Sequence, residues 1–142
     1  MGSSTGMLQF DTFRLVKGED LNHHGTLFAG RSAEWFVESA FVAAAHRVPS
    51  ENIVCVNIHG MHFSQPVAKG DIIQFTSCLV RAGRTSLTTY TTLRIQDRTE
   101  PVVEGFISFV HVDKQGKPIP HNIRVVPQTL EEQALYERSV AL

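Results

Sequence analysis

Two carboxylates, Glu34 and Glu38, stand four residues apart in a stretch from Phe28 to His46 that otherwise carries little charge. On a helix that spacing puts both on one stripe. Burial there would raise their pKa and make either one usable as a general base near neutrality. The same pair also suits a solvated or subunit-facing helix edge, paired with Arg31 or Arg47. Gly30, just inside the helix start, lets the chain approach a ligand closely. With Ala29 it would present amides that have no partner within the helix and that favour negative charge. Covalent catalysis has no visible nucleophile. No Gly-x-Ser-x-Gly elbow joins a strand to the helix, and neither Cys55 nor Cys78 has an evident histidine partner.

Other polar residues read more weakly. Asn22 follows Asp20 in a polar loop, where turn chemistry through the side-chain amide is the plain alternative to a role in a site. His59 and His62 could suggest a metal with His23 and His24. Residues three apart on a strand point to opposite faces, however, and adjacent histidines rarely chelate together, so no metal is expected. His59 remains a candidate to line a pocket. Arg84, with Gly83, Thr85 and Ser86, forms a turn cluster, and Lys69 lies in an earlier turn.

The elements that must hold these residues follow from the hydropathy pattern. Leu8 to Lys17 suits a first strand. Phe28 to His46 lacks alternation and is rich in helix formers, with apolar residues on nearly every face, so this helix should be wrapped by other structure. Ile53 to Phe63, Asp71 to Arg81, Ser86 to Gln96 and Val102 to Asp113 read as strands, and their short connections favour a meander. The last is apolar on both faces and should be central. Thr129 to Arg138 fits a short C-terminal helix capped by Thr129 with Glu132 three residues on. The order gives an α+β domain over residues 8–142, following a leader at residues 1–7 that is expected to be disordered or an expression scar.

Composition narrows the class. The chain has 142 residues, 42% hydrophobic and 19% charged, with a formal net charge of -1. One domain of ordinary globular composition is expected. Scattered basic residues argue against nucleic acid, and no apolar run approaches the roughly 20 residues of a membrane span. Two cysteines in apolar segments suggest buried, reduced thiols and a cytoplasmic location.

The loop Asn22-His23-His24-Gly25-Thr26-Leu27-Phe28-Ala29-Gly30 precedes the helix. Phe63-Ser64-Gln65-Pro66-Val67-Ala68-Lys69-Gly70-Asp71, Gly83-Arg84-Thr85-Ser86-Leu87 and Phe109-Val110-His111-Val112-Asp113 follow it. In this joint order, from about Leu8 to Pro120, the chain resembles the hotdog-fold acyl-CoA thioesterases. The resemblance implies an antiparallel sheet of about five strands wrapped around the long central helix. It implies an acyl-CoA thioester hydrolase that releases a carboxylic acid and free CoA by water attack, with CoA entering as part of the substrate and no separate cofactor. Asn22, Gly30 and a carboxylate would be catalytic. Ala29, His59, Lys69, Gly83, Arg84, Thr85 and Ser86 would bind the substrate, with Arg84 near the CoA phosphates. A homodimer at least is implied, with tetramers and hexamers open, and with the site shared between subunits.

One departure stands out. Relatives carry an acid seven residues after the second loop glycine and two after a common tryptophan. Here Trp35 fixes that register and Val37 takes the acid's place, leaving Glu34 or Glu38 to substitute. Two other functions stay open: a non-catalytic acyl-CoA binder, prompted by Val37, and an R-specific enoyl-CoA hydratase. The hydratase loop is echoed by Asp20-Leu21-Asn22 but lacks its proline and histidine.

Overall fold

The structure is a computed structural model that describes residues 6–142. The leader expected at residues 1–7 lies outside the described residues except for Gly6 and Met7. Met7 is buried, packed with Cys78, Val80 and Phe106, so it belongs to the fold. Five strands and two helices follow: β1 (Gln9–Leu15), α1 (Ala29–Ala45), β2 (Ile53–Ile58), β3 (Ile72–Ala82), β4 (Ser86–Ile95), β5 (Val103–His111) and α2 (Leu130–Val140). The strands make one antiparallel sheet in the order β1-β3-β4-β5-β2.

The expected α+β arrangement of a helix on a five-stranded sheet is found, with two corrections. The meander holds only for β3, β4 and β5. The segment between Ile58 and Ile72 is too long for a hairpin, so β2 goes to the far side of β5 while β1 takes the other edge beside β3. The sequence-predicted strand to Phe63 also stops at Ile58, because Gly60 turns the chain at φ +102°. β5 lies between β4 and β2, which accounts for its two apolar faces.

α1 packs on the inner face of the sheet. Phe36, Ala40 and Ala44 are fully buried against a core that includes Ile73, Phe75, Leu87, Ile107 and Phe109. Burying one such large side chain contributes on the order of 1.5–3 kcal/mol. A polar seam runs through this core: Ser39 Oγ meets Ser77 Oγ at 2.8 Å, which meets Thr91 Oγ1 at 2.6 Å. Each hydroxyl is satisfied only if helix and strands keep one axial position, because an unpaired buried hydroxyl is costly. The helix is not wrapped on every side within one chain. Glu34, Glu38 and Val42 are exposed, so one flank faces outward.

A bulge in β2 between Cys55 and Asn57 shifts its register against β5. Cys55 opposes Phe109 on the inner face, but past the extra residue Asn57 opposes Ser108 on the outer face. One inserted residue flips every later side chain to the other face. The outer face also carries α2. Thr129 Oγ1 accepts from the Glu132 amide at 3.1 Å, as the capping pattern predicts. Arg138 lies over the rings of Tyr90 and Phe106 and bonds Glu104, whose carboxylate also accepts from Tyr90 Oη at 2.5 Å. That tyrosine bond, helped by Arg138, holds the Glu104 carboxyl below the usual range, while burial first and Glu104 second push Tyr90 up to about 12.

Two outcomes follow from this packing. A Cβ at Gly105 would sit 2.6 Å from the Gly60 carbonyl oxygen, which is backbone and cannot swing away. Gly105→Ala should therefore cost about 1–3 kcal/mol of stability in a denaturant titration. Of the two thiols expected to be buried, Cys55 is exposed on the edge strand β2 and only Cys78 is enclosed; burial pushes the Cys78 thiol up to about 11, with a smaller contribution from Glu132. At pH 8 iodoacetamide should leave Cys78 unlabelled in the native protein and modify it only after denaturation, read by mass spectrometry. Native labelling at the rate of a free thiol would contradict the burial.

Candidate active site

The loop before α1 is built on Asn22. Its Oδ1 accepts from the amides of His24 (2.9 Å) and Thr26 (3.2 Å), and its Nδ2 donates to Thr26 Oγ1 at 3.1 Å. The turn chemistry read as the plain alternative is thus present. With the oxygen committed, one Nδ2 proton is left to donate outward. The Leu27 amide bonds the Val67 carbonyl and the Phe28 amide bonds that of Asp20, which ties the loop to the segment entering β3. Buried Asp20 also lies 3.5 Å from the Arg31 guanidinium, anchoring the helix start.

Phe28 is the N-cap of α1, and its side chain supplies no cap hydrogen bond. Among the described residues the amides of Ala29 and Gly30 donate to no protein acceptor. Unpaired amides at the positive end of a 17-residue helix are the donors that the helix start was expected to offer an oxyanion. A cavity of about 370 Å³ opens there, lined by Asn22, Ala29, Ser32, Phe63, Gln65 and Val67 among others. Its size suits a small organic ligand or part of a larger one. Gly30 does not line it. The Phe28 ring folds over Gly30 so closely that a Cβ there would meet the ring at 2.5 Å.

Sequence reasoning missed Ser32, Phe63 and Gln65 as lining residues. Ser32 was legible in one respect, because positions 32, 36, 39 and 43 form the buried stripe of α1 and a polar residue on such a stripe needs a reason.

Neither helix carboxylate lines this cavity. Glu38 forms an ion pair with Arg14 of β1 at 2.9 Å, beside Trp35, whose ring the Arg14 guanidinium covers at 4.6 Å. It thus lies on the β1 flank. Val37 lies on the opposite flank, one turn before Phe41, whose ring meets that of Phe109 in β5. Glu34 is exposed and makes no hydrogen bond or ion pair among the described residues. The two glutamates therefore differ, one tethered and one free.

The expected binding residues do not converge within one chain. Arg84 is exposed and borders a surface pocket of about 500 Å³ with Gly83, His121, Asn122 and Arg124. His121 pins that strap to the turn, its Nε2 donating to the Ser86 carbonyl at 2.9 Å while its Nδ1 accepts from the Ile123 amide. Thr85 is held there through its carbonyl, which accepts from the His111 amide. Lys69 instead lies against Gly18 at the other end of β3. The 11 residues of β3 span roughly 33 Å, so Lys69 and Arg84 cannot meet at one phosphate. The Asn22 cavity is at the Lys69 end. His59 is a correction too: the β2 bulge sends it to the outer face, where its Nε2 bonds Ser108 Oγ at 2.7 Å beside Glu104 and Arg138.

With this geometry in place, likeness to known proteins is informative. The sequence profile of the Thioesterase superfamily matches residues 24–102. The uncharacterized acyl-CoA thioester hydrolase YkhA of Bacillus subtilis is 28% identical over 125 residues, 85% of this chain and 72% of its own. The acyl-CoA hydrolase of Staphylococcus aureus, solved with butyryl-CoA and CoA, superposes at a TM-score of 0.84 with 26% identity, over 94% of this chain and 80% of that one. A hexameric acyl-CoA thioesterase in its apo state superposes at 0.85 with 31% identity, over 94% and 86%. Variants of the Staphylococcus aureus enzyme replace an asparagine and an aspartate fifteen positions further along. The shared fold is the hotdog, and by the match of sequence profile and fold together this chain belongs to the thioesterase superfamily.

Proposed function

We propose that this protein hydrolyses acyl-CoA thioesters to a carboxylic acid and free CoA. The observation that carries the reading is the unpaired amide of Ala29 at the start of α1, beside a cavity that also presents Asn22, in a thioesterase-superfamily chain. Water adds to the thioester carbonyl carbon as a base takes one of its protons, the carbonyl electron pair moves to oxygen, and that oxyanion is held at the helix start. Collapse breaks the carbon–sulfur bond and releases CoA thiolate, which takes up the proton that the water gave to the base. The remaining Nδ2 proton of Asn22 orients the thioester or the water. No separate cofactor takes part, and the two free cysteines support a cytoplasmic setting.

The site is completed by a second copy. Val54, Val56 and Ile58 are exposed along β2, an edge strand with unpaired backbone groups. β2 begins at the Arg84 end, since Ile53 opposes His111 and His111 bonds Thr85. It ends toward the cavity, since Ser64 bonds Val102. Antiparallel pairing of two β2 edges about a two-fold axis therefore brings the Gly83–Ser86 turn of one copy to the cavity end of the other. This gives the CoA phosphates a guanidinium that the cavity's own chain holds roughly 33 Å away. Glu34, free on the outward flank of α1, is the carboxylate placed to serve as base.

Val37 favours a second reading, an acyl-CoA binder without turnover, because the described residues lining the cavity include no base. Incubation with palmitoyl-CoA, a short acyl-CoA and crotonyl-CoA, following free thiol and enoyl absorbance, separates the readings. Thiol release from an acyl-CoA is expected. CoA-ester binding without thiol release would establish the binder, and loss of enoyl absorbance without thiol release would establish a hydratase.

Light scattering at micromolar concentration should give a dimer or a multiple of it, and Arg84→Ala should raise KM far more than it lowers kcat, because phosphate contacts persist unchanged into the transition state. A fully active monomer would refute the shared site. Glu34→Gln should lower kcat about 100-fold, the scale of a lost general base, while Glu38→Gln should change it little. Parental rates in both would leave water positioning to Asn22 and the helix start alone.

A further inference from the structure

Ser32 is a serine on the buried stripe of α1, 4% exposed, and it lines the 370 Å³ cavity. Its Oγ takes no part in any hydrogen bond among the described residues, unlike Ser39 and Ser77 deeper under the same helix. Every fully enclosed side-chain nitrogen or oxygen among those residues has a hydrogen-bond partner. The unpaired Ser32 hydroxyl must therefore keep an open face, and the cavity it lines is the space available to it. A hydroxyl held in an otherwise buried residue without a partner is costly unless something else bonds it.

Its position says what that something is. Helical side chains tilt toward the N-terminus, so Ser32 overhangs the turn that begins at Ala29. The Ala29 amide, unpaired and lining the same cavity, lies beneath it. Gly30, whose amide is also unpaired, does not line the cavity, and the Phe28 ring lies against its Cα. Two donors, one N–H and one O–H, thus converge on one small volume at the positive end of a helix dipole. Asn22 Oδ1 is committed to the loop, and the described residues lining the cavity include no charged side chain.

We propose that Ser32 is a further catalytic residue, whose hydroxyl donates to the thioester carbonyl oxygen beside the Ala29 amide. This rests on the hydrolase reading. As water bonds to the carbonyl carbon and gives one proton to the general base, which later passes it to the leaving sulfur, the carbonyl π pair moves onto oxygen, and the Ser32 proton stays on Oγ while its hydrogen bond to that oxygen strengthens. When the carbonyl re-forms, the carbon–sulfur pair leaves with CoA sulfur and the bond relaxes. Serine forms no covalent intermediate. The bond is stronger to the oxyanion than to the ground-state carbonyl, so it acts on turnover more than on binding.

The test compares the parent with Ser32→Ala and Ser32→Cys on one good acyl-CoA, by thiol release, with CoA affinity measured by calorimetry and stability by thermal melting. Removal of one oxyanion donor should lower kcat by about 100-fold, leaving KM, CoA affinity and melting temperature close to parental. Ser32→Cys keeps the volume with a weaker donor and should fall between the two. It also carries the comparison if alanine impairs folding. A fully active Ser32→Ala in an active parent overturns the role of Ser32 and leaves the hydrolase reading intact. Parallel loss of kcat, CoA affinity and melting temperature in both variants assigns Ser32 to structure and also overturns it. A parent that binds CoA esters but releases no thiol overturns the hydrolase reading and this proposal together.

Discussion

A helix whose first amides are kept unpaired has to be anchored by everything except its own cap. Phe28 occupies the N-cap of α1, where serine, threonine, aspartate or asparagine would contribute on the order of 1 kcal/mol. The cost is offset around it. Leu27 and Phe28 are tied by backbone bonds to Val67 and Asp20, buried Asp20 holds Arg31, and Phe36 is fully enclosed in the core. Further along, the Ser39–Ser77–Thr91 hydroxyls fix the axial position of the helix on the sheet. The exposed donors are therefore held by a rigid scaffold, as electrostatic stabilisation of a transient oxyanion requires.

The sheet separates two kinds of work by face. The inner face carries α1 and the cavity. The outer face carries α2, Met7 and the Tyr90–Glu104–Arg138 cluster, which closes a second, smaller core. The bulge in β2 decides on which of these faces His59 falls. It also leaves the β2 edge with exposed apolar residues that alternate imperfectly, so both faces of that edge are open to a neighbour.

Much of this was legible in the sequence. The α1 boundaries, the three long strands and the Thr129 cap followed from composition and turn residues, which act locally. The Asn22 loop and Gly30 stood out through the family resemblance, since a tight turn and a helix start alone account for an asparagine and a glycine there. What escaped was non-local. The crossing of β2 to the far edge depends on pairing partners, and the side taken by His59 depends on a single extra residue at Val56. Glu34 and Glu38 look equivalent along one stripe, yet Arg14, distant in sequence, tethers only Glu38. Ser32 sits on the apolar stripe of a helix whose other buried serine is satisfied by a strand. Only the packed structure shows that Ser32 is left with a cavity in place of a partner.

The separation of Arg84 from the cavity along β3 bears on how such an assembly tolerates damage. In the proposed dimer, where each site would combine the cavity of one copy with the Arg84 turn of the other, two differently crippled chains need not make a crippled pair. A chain lacking Ser32 joined to one lacking Arg84 would gather both lesions into one pocket and leave the other whole, so co-expressed defective alleles would complement one another within a single particle.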